Sequence, residues 1–197
     1  MPLVQKYDFN QEEQQRGGDG AIPDGSMVLV KLILRNPKEG RETDHPLITR
    51  LSSGVYALDA EYEVMAGSFK GLRLWEFIFL PASMQDVAME EGQLRQCKTG
   101  GRKLRAIIEA SCNIMPDDTS ERAKHARNIE WEQLAAHPFP VKIGIKAPQP
   151  GERFINNNVR RIVTPDRKEY AELMKGKEFL TDKPLPDLIP VPEDMPY

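Results

Sequence analysis

Residues 54–80, GVYALDAEYEVMAGSFKGLRLWEFIFL, constrain the fold more than any other stretch of the chain. Tyr56, Leu58, Ala60, Tyr62 and Val64 alternate with Asp59, Glu61 and Glu63. A period of two sets apolar side chains on one face of an extended chain and carboxylates on the other, which is the pattern of a half-buried strand. AGSFKG then supplies two glycines for a reversal, and LRLWEFIFL is rich in aromatic and other apolar residues. The stretch therefore predicts an antiparallel hairpin, its second arm at about 72–80.

A lone hairpin is not stable in water, so it needs partners. MVLVKLILR, which follows the turn IPDGS, predicts a strand at 27–35. FPVKIGIK (139–146) sets Val141, Ile143 and Ile145 against Lys142 and Lys146, and RFINNNVRRIVT (153–164) follows the turn APQPGE. Between these strands, Leu94, Leu104, Ile107, Ile108 and Cys112 fall at about helical spacing over 93–112, with a break expected at Thr99-Gly100-Gly101. PDDTSERAKHARN offers Asp118 as an N-cap with Glu121 behind it, and WEQLAAH closes a short helix. DRKEYAELMKGKEF ends the body as a helix, while PASMQDVAMEEGQ reads either way. The fold class expected is mainly β with a helical insert at about 81–135, an α+β arrangement. Three strands, a helix and two strands is the order of a five-stranded OB-fold barrel, with a mixed α+β sandwich as the competitor.

The ends read differently. Residues 1–25 are polar and glycine-containing, a leader to a body at 26–181. Residues 182–197 carry Pro184, Pro186, Pro190, Pro192 and Pro196, which forbid a helix and favour an extended acidic tail. The formal net charge is −3, but the leader and the tail are each acidic, so the body is basic. Residues 141–177 hold nine bases against four acids, the largest local asymmetry. No apolar run approaches the ~20 residues of a membrane span. MPLVQKYDFNQEEQQ lacks the apolar stretch of a signal peptide, so the cytoplasm is the expected compartment.

Catalytic and cofactor signatures are missing. His45, His125 and His137 are scattered, and Cys97 and Cys112 form no CxxC pair, so no catalytic residue, metal or cofactor is expected. Asp59, Glu61 and Glu63 share one strand face and could hold a divalent ion, but the ordinary reading of that row is a solvated face.

Binding of single strands fits better, because phosphates attract Lys and Arg while every base offers a π-face. Arg73, Trp75, Phe77 and Phe79 share one face of the third predicted strand. Aromatic stripes usually enter a core, and Phe77 and Phe79 are open to that reading. Lys142 and Lys146 share the non-core face of their strand, and Arg153, Arg160 and Arg161 follow on the next.

YDFN at 7–10, IPDGSMVLVKLILR, GVYALDAEYEVMAGSFKGLRLWEFIFL and WEQLAAHPFPVKIGIK together resemble bacteriophage and prophage single-stranded-DNA-binding proteins over about residues 7–165. That resemblance implies an OB-like barrel working in phage DNA replication or recombination in a bacterial host cell. It also implies that Arg73, Trp75, Phe77, Lys142, Lys146, Arg153, Arg160 and Arg161 form the contact surface. The stretch 81–135 is longer than a simple barrel needs. The end, EDMPY, is similar to the acidic, aromatic-ended tip of bacterial single-strand-binding proteins, with Tyr in place of the usual phenylalanine. The similarity implies that Glu193, Asp194, Pro196 and Tyr197 recruit replication or recombination enzymes. The expectation is thus a non-enzymatic, sequence-tolerant single-stranded-DNA binder with no membrane role, its self-association left open. The alternatives are a protein-interaction module, whose basic strands would dock an acidic partner, and a metal-dependent nuclease.

Overall fold

In a computed structural model of the chain, residues 21–135, 137–146 and 156–175 are described. Arg153, residues 1–20 of the leader and the whole tail, including Glu193, Asp194, Pro196 and Tyr197, lie outside them. The strands are β1 (Met27–Arg35), β2 (Ile48–Arg50), β3 (Tyr56–Val64), β4 (Arg73–Phe79), β5 (Phe139–Lys146) and β6 (Asn156–Ile162). The helices are α1 (Glu91–Ser111), α2 (Glu121–Ala126) and α3 (Tyr170–Leu173). The architecture is a mainly antiparallel β sheet with a few helices.

The expected hairpin forms as β3 and β4, in register from Ala57↔Phe79 to Glu63↔Arg73. Gly67 and Gly71 in its connection both sit at positive φ (+78° and +84°), where side chains other than glycine are strained. β1 serves two neighbours: Val30–Arg35 pair with β3, and Met27–Val30 pair with β5. β6 then pairs with β5. Leu32, Leu58, Tyr62, Val64, Leu74, Ile78, Phe139, Val141 and Ile143 converge on one core, with Leu104 and Ile107 of α1 closing it. β2 was not expected from its three residues; it pairs with Tyr56–Leu58 of β3.

No ladder joins β4 to β6 among the described residues, so the sheet is not closed, although the two strands run as neighbours. α1 packs across this seam. Lys103 donates from Nζ to both carboxylate oxygens of Glu76 on β4 (2.7 Å each) and to the Val159 carbonyl on β6 (3.2 Å). Tyr62 donates its hydroxyl to the same Glu76 (2.6 Å). Burial, reinforced by the adjacent carboxylate, holds the Tyr62 phenol well above its ordinary pKa, so it remains a donor.

Helix α1 corrects one expectation. It runs unbroken through Thr99-Gly100-Gly101 and begins at Glu91, behind a capping box in which Glu90 and Gln93 satisfy each other's backbone. The glycine is there for packing: a Cβ at Gly100 would lie 1.9 Å from the Phe79 carbonyl oxygen. Other boundaries also shift. Ser120, not Asp118, caps α2 by accepting from the Ala123 amide, while Asp118 accepts from the Ser120 amide. Trp131–Ala135 is a 3-10 turn, and among the described residues the final helix covers Tyr170–Leu173 and the last strand Asn156–Ile162; residues 153–155 and 176–179 of the expected elements lie outside the described residues. The ambiguous 81–93 segment is pinned by Gln85, whose amide accepts from the Tyr56 backbone N–H and donates to the Tyr56 and Leu80 carbonyls. Among the described residues no helix is long and apolar enough to cross a membrane.

Two adjacent glycines give a differential test of this packing. Gly100→Ala should destabilise the protein by about 1–3 kcal/mol, because α1 must lift off the β4 backbone. At Gly101 a Cβ would meet the Pro81 ring in ordinary contact, Cγ at 3.4 Å and Cβ at 3.9 Å. Gly101→Ala should therefore be neutral or stabilise by up to about 1 kcal/mol through helix propensity. Denaturant melts of both variants check the pair; equal effects would contradict the close approach at Gly100.

Candidate nucleic-acid interface

The period of two in β3 and β4 sends Leu74 and Ile78 into the core and Arg73, Trp75 and Phe77 outward. Trp75 is 55% exposed and Phe77 39%, so Phe77 is not the core residue that an aromatic stripe suggests; Phe79 is half-buried. A large aromatic left outside is usually mobile, but Trp75 is held. Its Nε1–H donates to Glu61 Oε2 at 2.9 Å from directly across the hairpin. The Arg73 guanidinium pairs with Glu61 Oε1 (2.8 Å) and approaches Glu63 (3.7 Å). Arg35 of β1 lies 4.0 Å from Glu61.

Glu61 is consequently only 6% exposed. The expectation of a solvated Asp59-Glu61-Glu63 face fails at this residue. A carboxylate can be buried when donors and cations meet it: here the Trp75 indole donates to Oε2, and Oε1, which accepts no hydrogen bond among the described residues, is met by Arg73 as an ion pair. Among the described residues, no group of three or more His, Cys, Asp or Glu side chains is placed to hold a metal ion.

Register continues the surface across β3 onto β1. Arg73 opposes Glu63, which opposes Lys31; Phe77 opposes Asp59, which opposes Arg35. Lys31 and Arg35, both exposed, were not among the expected contacts. Their spacing of four within a strand was the available signal, since it gives them one face.

The basic pair of strands is built by a β-bulge. The β5–β6 register shifts between Lys142 and Ile143. In an unbroken strand, Val159-Arg160-Arg161-Ile162 would send one arginine inward. The extra residue lets Val159 and Ile162 both be buried while Arg160 and Arg161 both face solvent. Arg161 lies directly opposite half-buried Lys142, which opposes Met27 of β1; exposed Lys146 opposes Asn156. Arg160 is 3.7 Å from Asp24. Asn157 is not a free reader as the Asn156-Asn157-Asn158 run suggests, since its amide is spent on the Ile22 backbone in both directions.

The structure therefore brings the site residues into two groups. Arg73, Trp75 and Phe77 form an aromatic group on β4 whose neighbouring charges balance. Lys142, Lys146, Arg160 and Arg161 form a basic group on β5 and β6. Their rows reach β1 at Lys31 and Met27, four residues or about 13 Å of strand apart, with buried Leu29 between. Cys97 and Cys112 are buried and joined by no disulfide, and burial pushes the Cys112 thiol up to about 11, which leaves it protonated at neutral pH. Compared with known proteins, the chain matches no family model, no curated protein and no solved structure.

The Glu61 brace is testable by itself. Glu61→Ala should cost about 1–3 kcal/mol of stability, the usual loss for hydrogen bonds to a charged group. It should also lower the nanosecond fluorescence anisotropy of Trp75 in a Trp131→Phe background. Glu61→Gln keeps an acceptor for the indole and should retain most of the anisotropy. Unchanged stability and anisotropy in Glu61→Ala would mean that the carboxylate holds nothing.

Proposed function

We propose that the protein binds single-stranded DNA without strong sequence preference, with bases stacked on β4 and phosphates held by β5 and β6. The observation that carries this reading is Trp75, a ring more than half exposed yet fixed by its own N–H to a buried carboxylate. Holding an aromatic rigid and outside the core prepares a stacking surface before the ligand arrives, which reduces the ordering cost of binding. Lys142, Lys146, Arg160 and Arg161 supply the excess positive charge that the neutral aromatic group lacks.

The strand connectivity supports an OB-like barrel as the frame. β1 shared between β3 and β5, with β4 and β6 at the two ends and α1 between β4 and β5 in sequence, is the connectivity such a barrel requires. The Lys103 bridge and α1 take the place of the closing ladder. On this reading the protein belongs with phage-type single-strand-binding proteins of replication or recombination. Glu193, Asp194, Pro196 and Tyr197 would then recruit partner enzymes, through paired acids that seek basic pockets and a ring that fills an apolar hole. The metal-dependent nuclease reading is weakened by Glu61, whose two oxygens are occupied by Arg73 and Trp75.

Titration of the Trp131→Phe protein with oligo(dT) tests the proposal. Trp75 fluorescence should be quenched on binding, and Trp75→Ala should weaken binding by ~1–3 kcal/mol with the fold retained. Log affinity should fall with log salt at about 0.7 per phosphate contact, and Arg160→Glu with Arg161→Glu should weaken binding to all sequences alike. Absent quenching, or a double variant that binds like the wild type, would overturn the assignment.

A further inference from the structure

We propose that the cleft between β4 and α1 is a second nucleotide subsite, which receives the strand as it passes from the Trp75 platform over the edge of β4. The inference rests on the single-strand-binding reading of β4 and gives the helical insert a role in it. Phe77 belongs to both places: it stands beside Trp75 on the outer face and, with Phe79, forms one wall of the cleft. The opposite wall is the N-terminal half of α1, where Arg95 and Gln96 are exposed.

The chemistry of the walls suits one nucleotide. At about 240 Å³ the cleft is smaller than the roughly 300–1,000 Å³ of pockets that enclose a whole small molecule, so it fits part of a polymer better than a separate ligand. The one acid in it, Glu76, is already neutralised by Lys103 and hydrogen-bonded by Tyr62, so its charge does not repel a phosphate. Among the described residues Arg95 is paired only with Glu91 one turn earlier, an exposed i,i+4 contact that contributes little and yields readily to a phosphate. The Gln96 side chain makes no hydrogen bond within the described residues, and its amide can both donate to and accept from any base edge. The Thr99 hydroxyl, by contrast, is satisfied by the Arg95 carbonyl. Aromatic wall, base-edge amide and guanidinium are the groups that single-strand sites combine. The approach of Gly100 to the Phe79 backbone keeps the two walls at a fixed separation.

Arg95→Ala and Gln96→Ala, each in the Trp131→Phe background, test the subsite by oligo(dT) titration at several salt concentrations. Both side chains are exposed, so the fold should be unaffected. Arg95→Ala should bind several-fold more weakly, with its salt slope reduced by about 0.7, the loss of one phosphate contact. Gln96→Ala should bind more weakly with the slope unchanged. Trp75 quenching at saturation should persist in both variants, because the platform is intact. Wild-type affinity and slope in both variants, with normal quenching, would overturn the subsite and leave the platform standing. If the unsubstituted protein shows no quenching, the platform reading fails and the subsite fails with it.

Discussion

One ammonium group ties the two ends of the sheet together. Lys103 reaches from α1 to Glu76 on β4 and to the Val159 carbonyl on β6, across the seam where no ladder forms among the described residues. Its geometry depends on α1 lying against β4, which in turn depends on Gly100 having no side chain. With Tyr62 donating to the same carboxylate, the cluster meets the general demand that a partly buried ion pair find additional hydrogen-bond partners. The consequence for the surface is positional. β4 carries the exposed aromatic group and β6 the paired arginines, so whatever fixes those strands relative to each other fixes the distance between the two.

Two local devices then distinguish this surface from an ordinary β surface. The first is the Glu61 brace, which makes an exposed tryptophan rigid. The second is the β6 bulge, which exposes two successive arginines without unburying Val159 or Ile162. Each departs from the simplest pleated arrangement, and each departure falls within the proposed contact surface rather than in the core. Such irregularities are what a fold retains where function requires them.

Much of the fold could be read from the chain because its strands alternate cleanly. β3 and β4 announce themselves through Tyr56–Val64 and Arg73–Phe79, and β5 matches its expected bounds of 139–146. What stayed hidden depended on contacts distant in sequence. Gly100 looked like a helix breaker, since propensity carries no information about the β4 backbone that α1 would meet. Glu61 looked solvated, since its partners Arg35 and Arg73 come from two other strands. β2 was too short to show a period. Of the expected contact residues, Lys142 and Lys146 were legible as a non-core face and Arg160 and Arg161 as part of a charge excess, while an alternating aromatic row left open whether Trp75 and Phe77 face the core or solvent. Lys31 and Arg35 lie within the largely apolar MVLVKLILR, whose composition masks the face they share.

Hydrogen–deuterium exchange of the full chain, with and without saturating oligo(dT), tests most directly the claim that one face built from β4, β5 and β6 contacts single-stranded DNA. Slowed exchange is expected in peptides covering 72–80, 139–146 and 156–162, with the 42–50 loop and β2 unchanged. Slowing confined to other segments, or none in the presence of the oligonucleotide, would contradict it.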